Sequence, residues 1–98
     1  MEPELLRDKM EKVLTHLVNF LSDSKESPYG DETPEELIAV VSSNLQSIKS
    51  SGLLSSPEKM TKIFLPTASL QEIAQDNGWG NQYIELAEHF ELALKACS

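Results

Sequence analysis

The side chains best equipped for chemistry in this 98-residue chain are two histidines, His16 and His89, one cysteine, Cys97, and sixteen carboxylates. Nucleophilic catalysis needs a serine or cysteine beside a base that a third group orients. His89 follows Glu85 by four residues, so on a helix the two share a face, and a small hydrolase or isomerase built on that pair is one reading of the sequence. The same pair is an ordinary helix-surface contact worth about 0.2–0.5 kcal/mol. His16, between Thr15 and Leu17, borders an apolar stripe and reads as a plain helix histidine. On these grounds the chain is expected not to be an enzyme.

A metal centre requires histidines and carboxylates to converge, and Glu85 with His89 supplies two ligands at most. Neither an HExxH helix nor a DxDxDG loop occurs. A single cysteine forms no disulfide within the chain and no cysteine cluster. Gly30, Gly52, Gly78 and Gly80 fall at expected turns and helix ends rather than in a phosphate-binding loop. No metal and no cofactor is expected.

Charge says more. Sixteen acids against eight bases give −8, which repels nucleic-acid phosphates and anionic lipid and favours a cationic partner surface. Direct nucleic-acid binding and membrane binding are therefore not expected. The charge is uneven: residues 1–36 carry ten acids and four bases, residues 37–68 one acid and three bases, and residues 69–98 five acids and one base. Any acidic surface must be built from the two ends of the chain. The acidic start, MEPELLRDKMEK, has no apolar core of the kind a signal peptide needs, and no run of eighteen apolar residues follows, so cytoplasmic residence is the expectation.

These side chains need elements to hold them. Leu6, Met10, Val13, Leu14, Leu17, Val18 and Leu21 recur at spacings of three and four, which predicts a helix over residues 4–22. Residues 23–32, with Pro28, Tyr29 and Gly30, read as a loop whose tyrosine caps the edge of the core. Thr33-Pro34-Glu35-Glu36 is a capping box with proline at the first helical position. It opens a second helix with Leu37, Ile38, Val41, Leu45 and Ile48 inward and Gly52 as its left-handed stop. The Ser, Asn and Gln residues of this helix read as solvent-facing, and an exposed flank here is compatible with a homodimer. Ser55-Ser56-Pro57-Glu58 starts a short helix in one of two registers, ended near Pro66, with a short strand through KIFLP as the alternative.

Ser69-Leu70-Gln71-Glu72 reads as a second capping box, and Asn77-Gly78 closes that short helix. From about Asn81 a last helix carries Tyr83, Leu86, Ala87, Phe90, Leu94 and Cys97 on one face, with Glu85, Glu88, Glu91 and Lys95 on the other. Trp79, between two glycines, is expected to pack between helices. Were it displayed, it would be the natural hot spot of an interface.

The segment SLQEIAQDNGWGNQYIELAEHF, Ser69–Phe90, resembles small uncharacterised bacterial proteins that share an SLQE-I, GWG and aromatic-LAxxF pattern. Some small acidic helical proteins of that kind resemble immunity proteins, which occlude the active cleft of a toxin. The resemblance implies a bacterial or phage origin.

Together these readings predict one all-α domain spanning residues 1–98, a compact bundle of four to five helices, with a small α+β fold as the alternative. The functional expectation is a non-enzymatic protein-binding module, a stoichiometric inhibitor of immunity-protein type that uses an acidic surface against a cationic partner. Glu72, Asp76, Trp79, Tyr83, Glu85 and Glu88 are the candidate contact residues. A phage-encoded inhibitor or nucleic-acid mimic acting on a host nuclease is the alternative.

Overall fold

The computed structural model describes residues 3–25, 32–64 and 69–97, with side chains described between Arg7 and Leu94. They form five helices: α1 (Pro3–Ser22), α2 (Pro34–Ser51), α3 (Pro57–Ile63), α4 (Ser69–Asp76) and α5 (Gly80–Cys97). No strand occurs among the described residues, and the protein is an all-α bundle. In particular, Lys62 and Ile63 finish α3 and Phe64 is its C-cap, so the strand alternative gives way to helix. Tyr29, the Pro66 stop and the side chains of Leu6, Lys95 and Cys97 lie outside the described residues.

The spine is α1, which packs most extensively against α2 on one side and α5 on the other. Its predicted stripe is the buried one: Met10, Leu14 and Leu17 are fully enclosed and Val13 and Leu21 nearly so, while Val18 is half-buried. α2 contributes Leu37, Val41 and Ile48, and α5 contributes Tyr83, Leu86, Phe90 and Ala93. The two short helices complete the core, with Met60 and Ile63 from α3 and Leu70, Ile73 and Ala74 from α4. Burial of this apolar set is the main stabilising term for a domain of this size.

The predicted capping box of α2 is formed on both sides. The Thr33 hydroxyl accepts the Glu36 N–H at 3.2 Å, and the Glu36 carboxylate accepts the Thr33 N–H at 3.2 Å. At the other end Gly52 sits at φ 77°, and its N–H donates to the Ile48 carbonyl. A Cβ at Gly52 would come within 2.8 Å of the Arg7 side chain, because that cation lies over the end of α2, where the helix dipole favours positive charge.

One polar residue of α2 departs from the expected solvent-facing role. Asn44 is fully buried, and its amide works in both directions. It donates to the Val40 carbonyl at 2.8 Å and to the Ser56 hydroxyl at 2.9 Å, and its oxygen accepts the Ser56 N–H at 2.9 Å. Ser56 is the N-cap of α3, which decides between the two sequence registers. Its hydroxyl makes no capping bond to the helix, since it is engaged by Asn44. Thus α2 holds the start of α3 through a side chain rather than through a local cap.

Candidate partner-binding face

The site proposed from sequence spans Glu72 to Glu88, and the structure divides it into a sealed half and an open half. The sealed half begins where α4 ends. The Gly78 N–H donates to the Gln75 carbonyl at 3.3 Å and the Trp79 N–H to the Ala74 carbonyl at 2.9 Å, with Gly78 at φ 81°. This bond pair is a Schellman stop, and it needs glycine at the left-handed position. The Trp79 carbonyl then accepts the Tyr83 N–H at 2.9 Å, the first turn of α5. One residue therefore ends α4 and opens α5.

That geometry turns the indole inward. Trp79 is 5 % exposed, lies flat on Phe20 of α1 with ring centroids 4.9 Å apart and planes 11° apart, and donates its Nε1–H to the Ser24 hydroxyl at 2.8 Å. Beside it Asn77 grips the backbone of Lys25 from both sides: its Oδ1 accepts the Lys25 N–H at 2.9 Å, and its Nδ2 donates to the Lys25 carbonyl at 3.0 Å. Ser69, read from sequence as the cap of α4, is the first residue of that helix, and its hydroxyl accepts the Glu32 N–H at 3.0 Å.

Tyr83 is buried too. Its ring stacks on Phe64, which also stacks on Phe90, and its hydroxyl donates to the Phe64 carbonyl at 3.2 Å. Burial raises its phenolic pKa above the ordinary value, because desolvation disfavours the phenolate. Trp79 and Tyr83 therefore do not join the acidic residues on one exposed surface. Their geometry is that of packing residues, each with its polar atom satisfied internally.

The open half is the outer side of α5. Its buried residues, Tyr83, Leu86, Phe90 and Ala93, occupy one side, and Ile84, Glu85, Glu88, His89, Glu91 and Leu92 are exposed on the other. Ile84, Glu88 and Leu92 follow at intervals of four, one line along the helix, with Glu91 on one flank and Glu85 on the other. The helix holds one cation, Lys95 in its last turn, and no lysine or arginine before it. Ile84 is 55 % and Leu92 57 % exposed, high for large aliphatic side chains on a helix that already buries a full stripe.

Of the remaining sequence candidates, Asp76 is exposed at the end of α4 and Glu72 is half-buried one turn earlier. His89 and Glu85 both face solvent on α5, and His16 faces solvent on α1. Among the described residues no three His, Cys, Asp or Glu side chains are placed to hold a metal ion. No helix among them is long and apolar enough to cross a membrane.

The two acidic ends of the chain are not equivalent. The exposed side of α1 mixes signs, with Arg7, Asp8 and Lys12, whereas that of α5 carries only carboxylates as formal charges from Gly80 to Leu94, the helix's one cation, Lys95, following in the last turn. Charge marks Glu85 and Glu88 in the sequence, whereas nothing in their type marks Ile84 and Leu92. Their one signal is that both lie off the buried periodicity of α5. Compared with protein-family models, curated proteins and solved structures, the chain matches none of them.

Proposed function

We propose that this protein is a non-enzymatic binding module, a stoichiometric inhibitor of immunity-protein type, that covers a cationic site of a protein target with the outer face of α5. It would act in the cytoplasm of a bacterial or phage-infected cell. The observation that carries this reading is the acidic excess of that face: Glu85, Glu88 and Glu91 all reach solvent, against a single cation, Lys95, in the last turn of α5. Such a field speeds encounter with a basic surface and disfavours acidic partners, setting specificity as much as affinity. A rigid bundle behind the helix supports the reading, since side chains held on a packed element lose little further freedom on binding.

The test is affinity capture from bacterial lysate at low salt with the wild-type chain and with Glu85→Lys/Glu88→Lys, both checked for native circular dichroism. Recovery of a basic protein by the wild type, lost in the charge-reversed variant and titrating to a one-to-one complex, is the expected result. Equal recovery by both, or recovery of no specific partner, sinks the reading.

A further inference from the structure

We infer that the outer face of α5 receives a cationic amphipathic helix of its partner, with Ile84 and Leu92 as the two apolar anchor points and Glu85, Glu88 and Glu91 as the charged surround. This rests on the preceding reading that the acidic face is the contact surface, and adds the form and chemistry of what it meets.

Charge alone does not explain the face. A helix that only needed solubility would carry polar residues at 84 and 92, and an isolated exposed aliphatic residue would call for no comment. Here two large aliphatics, each more than half exposed, stand on one line with Glu88 between them. Eight residues of helix separate them by about 12 Å, which is also the span of apolar residues seven or eight positions apart on a second helix. Rows of side chains at four-residue spacing form the ridges that fit between the ridges of another helix. The Ile84-Glu88-Leu92 row is such a ridge, so a helix matches it better than a loop. With three carboxylates beside the apolar pair and Lys95 only in the turn after Leu92, lysines or arginines beside the partner's apolar stripe complete the match, an apolar centre inside a polar rim.

The same charges argue against a second copy of this chain. In a two-fold pairing of α5 with itself, Ile84 would meet the other copy's Leu92 favourably. The symmetry would also set Glu88 on its own counterpart and Glu85 near the other copy's Glu91. Carboxylates brought together out of water are strongly unfavourable. Anionic lipid is repelled for the same reason.

The experiment uses three fluorescein-labelled helical peptides of about twenty residues. One has leucines spaced seven apart on a lysine-rich helix, one has the same composition with the leucines scattered, and one keeps the stripe with glutamate for lysine. Binding is read by anisotropy at low salt, and the contact is mapped by amide chemical shifts. The striped cationic peptide is expected to bind about tenfold or more tightly than either control, with shifts centred on residues 84–92. Ile84→Gln/Leu92→Gln should weaken it by about tenfold or more with the helical signal unchanged.

If the striped peptide fails to bind, binds no better than the scattered one, or ignores Ile84→Gln/Leu92→Gln, the inference is overturned. The acidic-surface reading survives that result when Glu85→Gln/Glu88→Gln/Glu91→Gln still abolishes partner capture, and falls with it when that variant also behaves as wild type. A free protein that is dimeric through α5, becoming monomeric in Ile84→Gln/Leu92→Gln, would make a second copy the occupant and equally overturn the inference.

Discussion

Two consecutive stretches, Asn77–Tyr83 and Ile84–Leu92, meet in the first turn of α5 and behave in opposite ways. In the first, the asparagine, the indole and the phenol each spend their polar atoms on the protein's own groups, and both aromatic rings are stacked. In the second, aliphatic and acidic side chains stand in solvent on a helix that is already well anchored. The conspicuous residues build the scaffold, and the plain ones form the free surface. A tryptophan between glycines draws attention as a recognition element, yet its backbone bonds to Ala74 and Tyr83 and its stack on Phe20 make it the packed joint between two helices.

The contrast can be broken or sharpened by substitution. The largest effect is expected for Trp79→Ala, which removes the stacked ring and leaves a cavity between α1 and α5; about 3–5 kcal/mol should be lost in urea denaturation. Asn44→Ala should cost about 1–3 kcal/mol in the same measurement, because it removes the partner of the half-buried Ser56 N–H and hydroxyl.

Gly52→Ala and Gly78→Ala both force alanine to positive φ, at a cost of about 1 kcal/mol each. Gly52→Ala should cost more, since only there does a new Cβ meet a neighbour, the Arg7 side chain. Equal midpoints for the two variants would mean that Arg7 moves aside freely.

Tyr83 adds a pH dependence. Its folded pKa is raised, so its contribution is fully present below the unfolded value of about 10 and is lost as pH rises through the folded pKa. The denaturation midpoint should therefore fall in alkaline solution above about pH 10, and less steeply in Tyr83→Phe.

The smallest effect belongs to the open face. Ile84→Gln/Leu92→Gln should shift stability by no more than about 0.5 kcal/mol per site, the ordinary range for exposed positions. A large loss there would show that these side chains serve the fold after all.

Much of this architecture was legible because local chemistry and global packing agree. The Thr33 capping box, the left-handed Gly52 and Gly78, and the stripes of α1 and α5 are each written in a few neighbouring residues. What escaped notice depends on distant groups. Asn44 falls on the buried periodicity of α2, between Val41 and Ile48, but its type reads as solvent-facing until its partner Ser56 is known. Ser69 reads as a cap, and nothing nearby in sequence reveals that its hydroxyl takes the N–H of Glu32. The candidate face was half visible: carboxylates announce themselves by charge, whereas Ile84 and Leu92 are apolar residues recognised as exposed only once the opposite side of the helix is assigned.

The placement of Trp79 has a spectroscopic consequence. It is the only tryptophan in the chain, and it lies against Phe20 and Ser24 where α1 ends and α4 passes into α5. Its emission therefore reports on that one junction. Because the indole is packed behind the proposed contact face, a bound partner that leaves the bundle intact would leave the emission maximum in place, while one that pries α5 from α1 would shift it to the red. The protein thus carries a built-in means of telling docking from remodelling.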